Sequence, residues 1–165
     1  MPLYEIRHIT PLTPSQQDSL ADALTTIHST KFTTPRMFVN VVFTEYSKVN
    51  TYVGGKRKQG NHIMANVRVG PSRTQKDWDE LGEQVAKAWG EIVPEGELRT
   101  FFVLGGLTAG FEAGFSIPPA GGDVEWLEKN FAAFEKKAQA GDEEFADLVA
   151  EIKERGLMKQ QTNGH

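Results

Sequence analysis

The sequence predicts an α+β fold: tandem β-α-β units forming a four-stranded, mainly parallel sheet with two helices on one face, followed by C-terminal helices. Three observations predict it. Apolar strands alternate with amphipathic helices along the chain. The order strand–helix–strand occurs twice in the first 105 residues, at a spacing of about sixty residues. Crossovers of that length join their strands in parallel, with right-handed connections. At 165 residues, 39% hydrophobic and 24% charged, the chain is long enough to bury one core of its own.

Residues 3–9 (LYEIRHI) alternate Leu3, Glu5 and Arg7 against Tyr4, Ile6 and His8, the period of a strand. Thr13 then offers an N-cap, Pro14 the first helical position and Gln16 a capping box, and Leu20, Ala23, Leu24 and Ile27 form a helical stripe. Residues 37–45 (MFVNVVFTE) read as a strand apolar on both faces, with Met37, Val39, Val41 and Phe43 on one and Phe38 and Val42 on the other. Such a strand is expected to be covered from both sides. Residues 46–61 form a Gly- and Lys-rich loop with a short strand at Tyr52–Val53; its Lys56-Arg57-Lys58 run reads as a solvated tip rather than an anion site.

The second unit begins with a strand over residues 62–69 (HIMANVRV). Thr74 and Asp77 open a helix carrying Trp78, Leu81, Val85, Trp89 and Ile92; Pro94 and Gly96 stop it, and residues 98–104 (LRTFFVL) supply the last strand. Six glycines and two prolines make residues 105–122 a turn-rich arm. Two helical stripes follow, Val124, Leu127, Phe131 and Phe134, then Phe145, Leu148, Val149 and Ile152, broken at Gly141. The expected division is a β-α-β domain at 1–127, a helical extension at 128–156 and a disordered tail at 157–165. Helices on one face leave the other bare, and another subunit is its expected cover.

Composition excludes several functions. Lys and Arg total 18 against 22 Asp and Glu, a formal charge of −4 that argues against non-specific nucleic-acid or anionic-membrane binding. With no cysteine, disulfides, cysteine-based zinc sites and thiol nucleophiles are ruled out. No apolar run has the length of a membrane span or signal peptide, so a cytoplasmic protein is expected. There is no phosphate loop, dinucleotide fingerprint or nucleophile elbow, and His8, His28, His62 and His165 lack metal-ligand spacing, so neither cofactor nor metal is expected. What remains is Pro2. Removal of Met1, which a small second residue permits, would start the first strand with a free secondary amine. That group can act as base or acid, or add to a carbonyl. The bland alternative is a proline at position 2 without consequence.

A set of short matches gives Pro2 more weight. They are Pro2-Leu3-Tyr4, Leu12-Thr13-Pro14-Ser15, Ala23-Leu24-Thr25-Thr26-Ile27-His28, Val41-Val42-Phe43-Thr44-Glu45, Val53-Gly54-Gly55, Asn61-His62-Ile63, Ser72-Arg73-Thr74, Phe111-Glu112-Ala113-Gly114 and the segment from Pro119 to Trp126. In this order, over about residues 2–127, the chain resembles the tautomerase superfamily, and within it the cis-3-chloroacrylic acid dehalogenase group. The resemblance implies that Pro2 is the central catalytic group, that arginines hold a substrate carboxylate, and that His28 and Glu112 position or activate water. His28 reads equally well as a helix-end histidine favoured by the macrodipole, and Glu112 as a solvated loop carboxylate. Arg73, just before the second helix, falls at the family's second arginine, where a guanidinium can fork a carboxylate and the helix N-terminus adds favourable charge.

Two positions depart from the family. Its first arginine falls on Gly70; Arg68, two residues earlier and so on the same strand face, is the expected substitute. Its tyrosine falls on Phe101, with Phe102 beside it, so these two are expected to line the substrate without a hydroxyl. The resemblance thus implies a cofactor-independent, proline-dependent tautomerase or isomerase of small keto-enol or α,β-unsaturated carboxylates. It also implies hydratase or dehalogenase-like chemistry as a side activity, and assembly as a homotrimer. The alternative is a non-catalytic trimer of the same fold whose helical tail binds a partner.

Overall fold

In the computed structural model, which describes residues 1–158, β1 (Leu3–His8) turns Tyr4, Ile6 and His8 inward, as its alternation demands. Helix α1 (Pro14–Phe32) opens on the expected capping box: the Thr13 hydroxyl accepts from the Gln16 N–H and the Gln16 side chain accepts from the Thr13 N–H. The chain leaves α1 at Thr33 with φ of 56°, a left-handed conformation that crowds a β-branched side chain. Thr33→Gly should therefore stabilise the fold by about 0.5–1 kcal/mol, raising Tm by about 2–4 °C in a thermal melt.

The strand expected over 37–45 begins only at Asn40. Residues Arg36–Phe38 form a 3₁₀ turn after Pro35, and β2 runs Asn40–Glu45. The reason is packing: Phe38 is buried in a second core, described below, and cannot stay in register with the sheet. Next come a small exposed hairpin, β3 (Tyr52–Val53) with β4 (Lys56–Arg57), and then β5 (Asn61–Asn66). Helix α2 (Gln75–Ile92), capped by Thr74 and Asp77 as expected, leads to β6 (Leu98–Leu104). The glycine-rich arm contains one more hairpin, β7 (Phe111–Glu112) with β8 (Phe115–Ser116). Helices α3 (Asp123–Gln139) and α4 (Glu143–Arg155) finish the fold, separated at Gly141 with φ of 95°.

The main sheet has the order β2-β1-β5-β6. Each β-α-β unit pairs its own strands in parallel, β1 with β2 and β5 with β6; the units join through antiparallel β1 and β5. Helices α1 and α2 cover one face, burying Tyr4, Ile6, Leu24, Ile63, Leu81 and Trp89. The other face lies open in the single chain, with Val42 47% and Phe102 52% exposed, so the cover expected on both sides of β2 is present on one side only.

A second core forms around α3 and α4. Leu127, Phe134, Phe145, Leu148 and Ile152 close on Met1 and Phe38, so the extension packs against both the N-terminus and the β2 approach. Polar contacts clasp α4 to the body: Arg155 donates to the Ser29 hydroxyl (2.6 Å) and carbonyl (3.1 Å), and Glu151 accepts from the Arg36 N–H (3.0 Å). Of the segment expected to be a disordered tail, Leu157 is buried in this core; residues 159–165 lie outside the described residues.

Candidate active site

Backbone pairing fixes the start of the chain. The Asn40 N–H donates to the Pro2 carbonyl at 3.1 Å, extending the β1–β2 ladder to a buried Pro2. There Met1, Pro2, Leu3, Asn40, Val41 and Glu112, among others, line a cavity of about 410 Å³. Glu112 comes from the β7–β8 hairpin. Its tight turn needs positive φ at both central residues, supplied by Ala113 at 51° and Gly114 at 96°. The Asn40 amide donates to one Glu112 carboxylate oxygen at 2.7 Å and so orients it beside Pro2.

Four charged side chains act on the amine at this end of β1. Burial, and after it the Arg68 charge, hold the Met1 amine down to about 5; Arg73 lowers it further, while Asp123 and Glu112 oppose the shift. His28 belongs to the same neighbourhood. It is buried in α1, 2.9 Å from the Tyr4 hydroxyl through Nδ1, and its ring sits 4.8 Å from Phe32. Burial, then the nearby amine and arginine charges, push it down to about 2. Packed against Tyr4 and Phe32, His28 is held as a buried core residue of α1.

The pH consequence has a definite sign. His28 stays neutral in the fold but titrates near 6.5 when unfolded, so stability is full above that value and is lost as pH falls below it. Urea unfolding should show a loss on the order of 2 kcal/mol between pH 7 and pH 5 from this residue. A visibly smaller loss is expected in His28→Gln, which keeps a partner for Tyr4.

Arg73 lies beside the Thr74 cap. Its Nη1 donates to the Arg68 carbonyl at 2.8 Å, and its guanidinium rests 4.6 Å above the Phe32 ring. Its Nε and Nη2 make no hydrogen bond among the described residues, leaving donors for a carboxylate. At the α2 N-terminus the Thr74–Asp77 capping box takes up the Thr74 and Asp77 N–H groups.

Arg68 corrects an expectation. It was expected to stand in for the family's first arginine, yet its Nη1 donates to the Pro118 and Pro119 carbonyls and its Nη2 to Asp123 at 2.8 Å, in a side chain only 4% exposed. With both Nη groups engaged, it cannot fork a substrate carboxylate in this arrangement. The same contacts account for Gly70. A Cβ there would approach the Ala120 methyl to 3.0 Å, because Arg68 draws the 118–120 segment across it.

Phe101 and Phe102 do not meet Pro2 either. Phe101 packs towards α2 with the main core, and Phe102 points from the open face of the sheet. Within one protomer the cavity at Pro2 excludes both, and a role for them requires a neighbouring subunit. The structure therefore brings Pro2 and Glu112 to one cavity at the start of β1, while Arg73 lines a separate cavity with Phe32 and Asp123 and His28 lies buried against Tyr4. Sequence reasoning missed Tyr4, Asn40 and Asp123. Asn40 had left a signal, as one amide inside an apolar run; Asp123 and Tyr4 are visible only through partners distant in sequence. Among the described residues no three His, Cys, Asp or Glu side chains gather as a metal site. No described helix is long and apolar enough to cross a membrane.

The Tautomerase_3 family, whose description is "Putative oxalocrotonate tautomerase enzyme", matches residues 1–130. The chain belongs to this family. No curated protein matches its sequence. Among solved structures, N1, a member of the cis-3-chloroacrylic acid dehalogenase family, is 24% identical with a TM-score of 0.65, over 88% of this chain and 99% of that one. Native RhCC from Rhodococcus jostii RHA1 is 21% identical with a TM-score of 0.57, over 78% and 96%. A fused 4-OT described as an asymmetric trimer is 18% identical with a TM-score of 0.57, over 69% and 94%. The resemblance to the tautomerase superfamily is thus borne out, and the fold is also that of a cis-3-chloroacrylic acid dehalogenase family member. The Tautomerase_3 match ends within α3, leaving α4 beyond it.

Proposed function

We propose that this Tautomerase_3 protein is a cofactor-independent isomerase of small keto-enol or α,β-unsaturated carboxylates that uses the Pro2 amine. One observation carries the reading: Pro2 opens into a cavity it shares with Glu112, at a chain end that also feels the Arg68 and Arg73 charges. With Met1 removed, the Pro2 nitrogen lies in surroundings that disfavour a positive charge, which suits a neutral base. In ketonisation it takes the enol proton as the carbonyl forms, and returns that proton to the adjacent carbon as the double-bond electrons close on it. Arg73 holds the substrate carboxylate with its free donors. Glu112, oriented by Asn40, supplies the carboxylate that directs water where addition competes with proton transfer, the source of hydratase-like side activity.

Peptide mapping after incubation with a 3-halopropiolate tests this. A covalent adduct on Pro2, formed more slowly in Arg73→Ala, supports the reading. A chain that keeps Met1 and takes no label sinks it. The non-catalytic alternative has less support, because the apolar stripes of α3 and α4 close on Met1 and Phe38 instead of standing free for a partner.

The assembly belongs to the same proposal. The open face, with exposed Val42, Phe102 and Leu104, is covered in a homotrimer. Light scattering should give three times the 18.3 kDa chain mass; a monomer in dilute solution would remove the trimer and, with it, any role for Phe101 and Phe102.

A further inference from the structure

Met1 lies between the cavity at Pro2 and the second core. Its side chain is 5% exposed and belongs to the cluster built by Leu127, Phe134 and Phe145 of the C-terminal extension. Its backbone lies directly before Pro2, and the residue lines the cavity together with Glu112 and Ile117. The amine end sits under the charges of Arg68 and Arg73, opposed by Asp123 and Glu112, with Arg68 and Asp123 paired to each other, while the other end is apolar. Removing Met1 frees both ends at once. Arg73, with donors left unbonded, suits a carboxylate; the apolar end offers room for an unbranched chain.

The geometry points to a substrate that carries an unbranched apolar arm of about four heavy atoms, bound in the space filled by the Met1 side chain and walled by the C-terminal extension. This rests on the reading of Pro2 as the reactive amine, and it narrows the substrate class. A bare three-carbon acid would leave the apolar space without contacts, whereas a longer 2-oxo or enol acid would fill it. The extension then acts as a specificity wall, set by Leu127 and Phe134 from one side and Ile117 from the other.

Two series of straight-chain acids test the inference on protein that begins at Pro2, verified by intact mass. Calorimetry with alkanoates from propanoate to octanoate reads the subsite alone. Exchange of C3 protons in D₂O, from pyruvate to 2-oxooctanoate, reads it through catalysis. Affinity should rise about fourfold per methylene until the arm reaches about four carbons, then level off. Ile117→Trp should shift that optimum to shorter acids. Pro2→Leu, which keeps Met1, should bind no alkanoate. Flat series, or no alkanoate binding at any length, overturn the arm. If acids nevertheless exchange and Pro2 still takes its label, the amine reading stands without it. A graded alkanoate series with no exchange and no label supports the subsite and sinks the amine reading.

Discussion

Pro2→Ala should lower kcat/KM for a keto-enol acid by about 10²–10⁴-fold while leaving the thermal melt within a few degrees of the parent. The two expectations come from different parts of the residue. The Pro2 carbonyl, which accepts from Asn40, is retained in alanine, so the β1–β2 ladder keeps its first bond. The ring is lost, and with it the fixed direction of the nitrogen lone pair; an alanine amine rotates freely and spends much of its time misaligned. A chain from which Met1 is not removed should be inactive with no substitution at all, since its Pro2 nitrogen is a tertiary amide without a basic lone pair. The pH profile separates base from acid. Burial and the arginine charges lower the amine at this chain end, so a base at Pro2 makes kcat/KM rise through that lowered value and stay level towards neutral pH. An acid at Pro2 makes it fall over the same range. Equal rates in Pro2→Ala and the parent would return the protein to the non-catalytic reading.

The sheet and its helices were legible because each rests on a local period or a local cap. Thr13 with Gln16 and Thr74 with Asp77 form the boxes their spacing demands, and the alternation of β1 buries Tyr4, Ile6 and His8. The error at residues 37–39 has another origin. Met37 and Phe38 are as apolar as the strand that follows, and a sequence does not say which of two cores will receive them. In the site, short motifs singled out Pro2, His28, Arg73 and Glu112; the fold brings Pro2 and Glu112 to one cavity, sets Arg73 in another and buries His28 against Tyr4. Arg68 was misread because its role depends on Asp123 and on the Pro118 and Pro119 carbonyls, more than forty residues away in sequence. From its own neighbours it is one more arginine on a strand face; from its partners it is the anchor of the extension.

That anchor makes Arg68→Met the most damaging single change we expect to stability, at about 3–5 kcal/mol in urea unfolding. The guanidinium satisfies Asp123, whose side chain is only 15% exposed, and two carbonyls of the arm, all from a buried position. Removing it leaves a carboxylate at the first residue of α3 without its partner and two acceptors without donors. Arg68→Lys should recover only part of the loss, because a single ammonium cannot fork towards three acceptors. The double variant Arg68→Met with Asp123→Leu should recover more, since the orphaned carboxylate then disappears with its partner; only the two carbonyls remain unsatisfied. Activity should fall further than stability predicts. The same contact holds α3 against the start of β1, where the second core, Met1 and the Pro2 cavity meet, so loosening it displaces the wall of the site as well as the helix. If Arg68→Met unfolds like the parent, the extension is held by its apolar core alone; if it loses stability and the double variant recovers none, the carbonyls of Pro118 and Pro119, rather than Asp123, are what Arg68 serves.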